Sequence, residues 1–569
     1  MSTASTKSNV RKKKQARKAA ASDPKAAQKA PGPPAAAGVP DLSDRVWAIG
    51  ALVILLIAGF LRLYDLDLVP LHHDEGVNGN FLVRLVREGE YRYDPENYHG
   101  PTLYYFAALI PWITRLLFGT AARDNYGMTT FTIRLIPVVF GLATIGLVFC
   151  MRKRLGRVAT LAGGLLLALS PGAVYLSRYF IHESQFVFFT LGIVVAGVFF
   201  YDTRNPFYLV LASASAALLF ATKETAMISA AVLLIAFGVT HLYRRFYAAA
   251  FLPRSAKARR APQQGAFRRF LDDFGGWIPL VICIAIALVV FVLLNVVFYS
   301  SFFRNGQGVY DSLKTFAIWS KTGQTAHVHP AYKYVEWLGS QESPLLFLGL
   351  IGAGIVVLKP RNSFALFSAL WAFGLIAAYS LIPYKTPWLV LNFIVPLALI
   401  AGYVAQFIYE LDGGQVRLVA AIWLLSLVSV YQTIDLNFIN YDNDKGYYVY
   451  VYAHTTRGLL DLVKHVDEIA AKEDGVTTGI SILSPDYWPL PWYLRNYTRV
   501  GYYGRAAATS EPMIIVNANQ KVEIDTNYGA VYEQVRSNAP DGSFDLRPGV
   551  RLLLYKRREV LMGQLKHPY

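Results

Sequence analysis

The stretch PTLYYFAALIPWITRLLFG, Pro101 to Gly119, decides how the rest of the chain is threaded. It is apolar and close to the roughly 20 residues that a helix needs to cross about 30 Å of hydrocarbon. Comparable runs recur on both sides of it, among them VWAIGALVILLIAGFLRL, LIPVVFGLATIGLVFC, SQFVFFTLGIVVAGVFFY, IPLVICIAIALVVFVLLNVVF and PWLVLNFIVPLALIAGYVAQFIY. In lipid such runs must be helices, because only a helix satisfies its own backbone groups there. The whole chain agrees: 54% of its 569 residues are hydrophobic and only 16% are charged, with a mean hydropathy of +0.33. The class is a polytopic α-helical membrane protein in contact with the lipid bilayer.

Charge then fixes the threading. The net charge of +17 is concentrated in KSNVRKKKQARK near the start and in the block from Tyr243 to Phe270. Both read as cytoplasmic segments beside the membrane and not as a nucleic-acid groove. With the basic amino terminus inside, the first span at 46–63 crosses outward. If 101–119 also crossed, RKRLGR (152–157), the 243–270 block and KPR (359–361) would all lie outside, against the positive-inside bias three times. Laid along the external surface, as Pro111 and Arg115 in mid-run allow, it returns all three to the inside.

The resulting plan has about eleven spans, near 46–63, 131–151, 158–175, 184–201, 206–222, 225–243, 277–299, 344–359, 363–382, 387–409 and 415–433. Residues 1–45, rich in Lys, Ala, Pro and Ser, form a disordered cytoplasmic tail with no signal-peptide cleavage pattern. The transmembrane region covers 46–435, with a large external loop at 64–128 carrying one or two interfacial helices and a basic cytoplasmic loop at 244–276. An odd number of spans places 436–569 outside the cell membrane. There TTRGLLDLVKHVDEIAAKED has the pattern of an amphipathic helix, and TGISILS, MIIVN and VRLLLYKR read as strands of a small mixed α/β domain. Between them DYWPLPWYLRNY is unusually aromatic for a soluble surface and suits a face docked on the membrane or on the external loops. Cys150 and Cys283 both fall in apolar runs and define no disulfide framework.

On this topology the polar interruptions gather on the external side: HHDEG (72–76), YDPENYHGP (93–101), SRYFIHESQF (177–186), ATKETA (221–226) and IPYKTPW (382–388). Each has an ordinary reading when taken alone. Lys223 and Glu224 are placed to snorkel from a span end or to pair with each other, and His72 and His73 suit a wet loop. HHDE invites a metal, but adjacent side chains do not all aim at one ion, and no HExxH spacing is present. Several clusters on one face shift the weight, because a polar group held near lipid costs roughly 2.5–3.5 kcal/mol and is retained with a partner or a task. We therefore expect one external cavity, with His73, His99, Arg178, His182, Lys223, Glu224, Tyr384, Lys385 and Trp388 binding substrate. Apolar flanks suit a lipid, basic groups suit a phosphate and isolated carboxylates suit a general base.

The ordered set of motifs, from the acidic pair after the first span through GPTLYYFAALIPWITRLLFG, LLLALSP, SRYFIHES and ATKETA, resembles the GT-C superfamily of membrane glycosyltransferases, specifically the relatives of protein mannosyltransferases. HHDEG, YDPENYHGPTLYY, PYKTPWL and YWPLPWYLRNY are similar to the prokaryotic subfamily named flippase-activity-associated proteins, and the resemblance covers roughly residues 45 to 510. It implies a GT-C-like fold, a polyprenyl-phosphate sugar donor, an external site, a protein or glycolipid acceptor and inversion at the anomeric carbon. Asp74 matches the family's catalytic aspartate and Glu75 its acidic neighbour; Glu183 stands where relatives usually carry aspartate. Lys223 and Lys385, with Arg178, are implied as donor-phosphate contacts. These motifs identify no cofactor, and a divalent cation at Asp74, Glu75 and Glu183 is left open. The alternatives are a transporter or flippase for lipid-linked sugars, against which the sequence shows no evident inverted repeat, and a non-catalytic scaffold.

Overall fold

The computed structural model describes residues 41–97, 99–118, 127–251, 266–322, 327–411, 413–443 and 446–558. The expected basic tail therefore lies almost wholly outside the described residues, as does the middle of the expected 244–276 loop. The first helix, α1 (Asp44–Leu63), is followed by α2 (His73–Glu88) and α3 (Thr102–Phe118). Next come α4 (Thr130–Cys150), α5 (Arg157–Leu169), α6 (Pro171–Ser177), α7 (Glu183–Thr203), α8 (Pro206–Phe220), α9 (Ala226–Phe251) and α10 (Trp277–Tyr299). The following loop carries α11 (Gly306–Thr322) and α12 (Lys333–Gln341), after which α13 (Ser343–Leu358), α14 (Ser363–Leu381), α15 (Leu391–Tyr409) and α16 (Gly414–Ile434) complete the helical region.

Among the described residues eight helices are long and apolar enough to cross a membrane, or ten if two bent pairs each make one crossing. Ten of the eleven expected runs are among these, each bent pair counted as one. The run at 206–222 yields only the 15-residue α8, which is short for a crossing. The run at 158–175 is broken by 63° between α5 and α6, where Pro171 has no N–H to continue the helix and the Ser170 side chain caps the new one by accepting from Ala173 N. A sharper break of 113° separates α12 from α13.

The centre of the bundle is α15, in which every residue from Leu391 to Gln406 is buried. Helix α5 lies directly against it: a Cβ on Gly163 would stand 2.6 Å from the Ala398 carbonyl oxygen, and one on Gly402 would strike that of Ala159. Lipid gives helices no hydrophobic reason to associate, so such small residues matter by letting backbones approach and gain van der Waals contact. At the periphery α10 leaves Ile278, Leu288 and Val289 exposed, as a lipid-facing helix does.

Among the described residues the 64–128 segment holds two α-helices, and α3 is not among those long enough to cross. Its first half buries Leu103, Tyr104, Ala107 and Ala108 in a cluster shared with Leu82 and Leu85 of α2. Beyond Pro111, Ile113, Leu116 and Leu117 are exposed. One end is thus packed on protein and the other offers apolar surface.

A π-helical turn, Asp435–Ile439, carries the last membrane helix past the expected boundary at 436. After a connecting segment, α17 (Gly458–Ala470) opens a small domain with strands β1 (Ile480–Ile482), β2 (Val500–Tyr502), β3 (Met513–Asn517), β4 (Tyr532–Val535), β5 (Phe544–Arg547) and β6 (Val550–Arg557). The strand order is β2-β1-β3-β6-β4, with β5 also on β6. β1 runs parallel to β2 and β3, while β6 is antiparallel to its neighbours. The apolar stripe of α17, Leu459, Leu462, Val466 and Ala470, packs on Ile480, Ile482, Met513, Ile515, Leu552 and Leu554. Three of these strands are the expected ones; β2, β4 and β5 are short or polar enough to have carried no periodic signal.

Candidate active site

Helix α2 begins at HHDEG. His72 is its N-cap, and its Nδ1 accepts from Asp74 N at 3.1 Å while Nε2 donates to the Tyr452 carbonyl at 2.9 Å. Glu75 closes a capping box by accepting from His72 N at 3.0 Å. The same carboxylate takes two hydrogen bonds from Arg134, Nε to Oε1 at 2.8 Å and Nη2 to Oε2 at 2.6 Å, and one from Phe180 N at 2.7 Å. Glu75 and Arg134 are both fully buried. Glu75 is therefore turned away from solvent, and Asp74, one residue earlier in the first turn, points the other way.

The Asp74 side chain is 42% exposed, and its nearest basic neighbour is His72 Nδ1 at 3.9 Å. It opens on a cavity of about 280 Å³ whose lining also includes His73, Asn78, His99, Glu183, Lys223, Glu224, Trp319, His327, Tyr384 and Trp388. Residues from six separate stretches are thus brought to one place. Helix α2 gives Asp74 and, one turn on, Asn78, whose side chain is fixed by donating to the Phe180 carbonyl and accepting from Tyr104 Oη. The 93–101 loop gives His99 and is tied to the α8–α9 turn by Gly100 N donating to Thr222 O at 3.0 Å. A short antiparallel contact of Val328 with Tyr384 holds His327 against the 382–388 loop.

Electrostatics in the cavity centre on Lys223. Its ammonium is buried and paired with Glu183, while Glu224 pairs with His99 Nδ1 at 3.2 Å. Burial alone would lower the lysine's pKa, but the Glu183 and Glu224 carboxylates outweigh it and hold it above the ordinary lysine value. Burial likewise works to raise the Glu224 carboxyl, and His99 and Lys223 overcome it, leaving Glu224 below the usual range. Burial pushes the His73 imidazole below its ordinary pKa. At neutral pH the cavity accordingly holds one lysine cation among carboxylates, with histidines at its rim.

Four sequence-selected residues stand elsewhere. Glu75 is locked to Arg134. Arg178 directs its guanidinium to the carbonyls of Leu61 and Arg62 at the end of α1 and of Tyr64 and Asp65 just beyond it. Lys385 donates through Nζ to the Ser380 carbonyl at 3.2 Å and to that of Ile382, closing the end of α14. His182 sits behind the lining, with Nε2 on the Gly100 carbonyl at 3.1 Å and its ring 4.9 Å from that of His99. Among the described residues no three His, Cys, Asp or Glu side chains stand as a metal-binding group, and the trio Asp74, Glu75 and Glu183 is divided because Glu75 faces Arg134. Asn78, Trp319 and His327 were not anticipated; of these only Asn78 carried a signal, its i+4 spacing from Asp74.

Residues 106–252, which include Glu183, Lys223 and Glu224, match the family model described as dolichyl-phosphate-mannose-protein mannosyltransferase. The structure is similar to ArnT from Cupriavidus metallidurans bound to undecaprenyl phosphate, with a TM-score of 0.56 at 14% identity, covering 93% of this chain and 100% of the other. It is also similar to the archaeal oligosaccharyltransferase AglB from Archaeoglobus fulgidus in complex with an inhibitory peptide and a dolichol-phosphate, with a TM-score of 0.51 at 13% identity, covering 92% of this chain and 75% of the other. No curated protein matches by sequence. The chain is a multi-pass membrane protein with the GT-C fold of the membrane glycosyltransferases.

Proposed function

We propose that the protein transfers a sugar from a polyprenyl-phosphate donor to an acceptor hydroxyl on the external face of the membrane. The observation that carries this reading is the convergence of Asp74, Glu183, Lys223, Glu224 and His99 on one cavity. Beside the cavity, between α9, α13 and α14, runs an apolar groove of about 460 Å³ lined by Val232, Ile235, Val239, Val357, Leu370 and Phe373 among others. Thr225 and Tyr379 line the polar end, and Ala378 and Val232 the apolar one. A polar cavity at the ends of α9 and α14, with an apolar groove along the same two helices, suits a phosphate on a long isoprenoid tail. Two proteins of this fold were solved with such ligands, undecaprenyl phosphate and dolichol-phosphate.

In the proposed step the acceptor oxygen attacks the anomeric carbon while Asp74 takes its proton. The bond from that carbon to the phosphate oxygen breaks, and the phosphate leaves as an anion. Asp74 suits the role of base because it is open to the cavity and held at a fixed angle by the capping box. Lys223 is the cation placed to favour the departing phosphate, in a site where partial burial strengthens the interaction. Glu183 and Glu224 hold that lysine in place. Attack opposite the leaving phosphate inverts the anomeric carbon.

The test is release of label from radiolabelled polyprenyl-phosphate sugars by the purified protein in lipid vesicles, compared with Asp74→Asn. Release that depends on Asp74 supports transfer. Movement of labelled lipid between leaflets without release would instead support a transporter.

A further inference from the structure

Beyond the cavity mouth, the carboxyl-terminal domain presents a file of aromatic rings. His73, on the cavity lining, has its ring 6.0 Å from that of Trp488; Trp488 is 5.7 Å from Tyr487, and Tyr487 is 5.1 Å from Tyr502. The file starts within one residue of Asp74 and ends on β2, the edge strand of the sheet, where Tyr502 is 38% exposed. Its inner end is anchored, because Trp488 and Pro489 lie directly on the first turn of α2 at Gly76. Polar groups flank it: Asp486 accepts from Arg547 and, at 3.3 Å, from Asn517 Nδ2, with the Asp486 and Arg547 side chains 34% and 22% exposed.

From this arrangement we propose that the file is an acceptor subsite for a glycan, along which a sugar chain lies with its terminal hydroxyl directed to Asp74. The proposal rests on the transferase reading and extends it to the acceptor's chemical class. A pyranose offers apolar C–H faces and a rim of hydroxyls, so it is recognised by flat rings with hydrogen-bonding side chains beside them. An isoprenoid or acyl chain has no use for Asp486, Asn517 and Arg547. A peptide acceptor would pair with the free backbone edge of β2 and would leave the inner rings of the file, His73 and Trp488, without a role. Half-buried aromatic surface beside a polar cavity is also the kind of patch a soluble domain retains for binding.

The experiment uses the full chain in nanodiscs with mannotetraose, maltotetraose and cellotetraose as probes, first without donor. Saturation-transfer NMR is expected to mark the ring C–H protons of at least one tetrasaccharide. Its affinity should fall roughly three- to tenfold in Tyr487→Ala and in Tyr502→Ala, while Tyr487→Phe and Tyr502→Phe, which keep the rings, stay within about twofold. With labelled polyprenyl-phosphate sugar added, the same alanine variants should raise the KM for that tetrasaccharide and move kcat little. Absence of saturation transfer from all three probes, or equal signals in wild type and both alanine variants, overturns the proposal. Transfer of label to a Ser/Thr peptide with a KM unaffected by either substitution overturns it too, and leaves the transferase reading standing. Binding without any sugar release would overturn the transferase reading and retain a glycan site.

Discussion

The guanidinium of Arg134 on α4 clasps the carboxylate of Glu75 on α2 through two hydrogen bonds of 2.8 and 2.6 Å, with both side chains fully buried. Arg134 Nη1 also donates to the Leu66 and Val69 carbonyls at 2.9 Å each. The pair therefore fixes where the chain turns from the first membrane helix into α2. Removing either partner leaves an uncompensated buried charge, a loss of roughly 3–5 kcal/mol. Glu75→Gln and Arg134→Met are expected to lower the thermal midpoint markedly and to reduce the yield of folded protein in detergent, as followed by size-exclusion profiles and a thermal melt.

Asp74 differs from its neighbour in this respect. Its carboxylate is open and bears no such partner, so Asp74→Asn should leave the melting profile within experimental scatter of wild type. Loss of a general base is worth roughly a hundred- to ten-thousandfold in rate. Single-turnover release of label from the donor measures it. A variant that melts normally yet retains full rate would remove Asp74 from the mechanism.

The contrast between these two residues shows what the sequence made legible. Apolar runs announced the helices because lipid permits little else. Polar residues interrupting those runs near Asp74, His99, Glu183, Lys223, Glu224, Tyr384 and Trp388 were legible as a group because each was costly where it stood. The direction of a long side chain was not legible. Arg178 and Lys385 end on backbone carbonyls at the termini of α1 and α14, and which carbonyls are left orphan depends on where helices stop in space. Trp319 and His327 come from the loop after α10, whose course follows from its contact with the 382–388 loop and from no local pattern.

Lys223 and Lys385 should accordingly respond differently. Lys223 stands on the cavity between Glu183 and Glu224, so Lys223→Met removes the cation assigned to the phosphate in the proposed function and leaves two buried carboxylates together. We expect donor affinity to fall roughly ten- to a hundredfold. Lys385→Met frees carbonyls at the end of α14 and should lower the thermal midpoint with donor affinity little changed. Titration with a fluorescent polyprenyl phosphate separates the two; a large affinity loss in Lys385→Met would mean that this ammonium reaches the phosphate.

Acid should weaken the fold through His454. It lies in the segment between α16 and the carboxyl-terminal domain, is buried, and neither ring nitrogen has a hydrogen-bond partner among the described residues. Burial, helped by His72 and Arg134, pushes its pKa down from 6.5 to about 3. The unfolded chain thus binds a proton below pH 6.5 that the folded chain refuses, so stability falls as pH drops from 6.5 towards 3 and levels off below. The slope from one such histidine is about 1.4 kcal/mol per pH unit over that window. Thermal melts between pH 7 and pH 4 should show the loss, and His454→Gln should flatten it.

Two glycines set how closely the carboxyl-terminal domain holds the turn that carries Asp74. Gly76 and Gly79, one helical turn apart on α2, face the carboxyl-terminal domain: a Cβ on Gly76 would strike Pro489, and one on Gly79 would stand 2.6 Å from Trp492 Cε3. Trp492 is fully buried, and Arg495 behind it donates to the Met128 carbonyl at 2.8 Å, so the ring has nowhere to yield. Gly79→Ala should force α2 and the 488–493 segment apart, at about 1–3 kcal/mol. The same displacement moves Asp74 relative to Lys223, and small misplacements of reacting groups cost rate steeply. Gly79→Ala is therefore expected to lose both stability and turnover, although the residue touches no substrate. A control at Gly59, where an added Cβ meets nothing within 4 Å, should lose neither; equal behaviour of the two variants in melts and label release would show that the contact between α2 and the carboxyl-terminal domain does not govern the site.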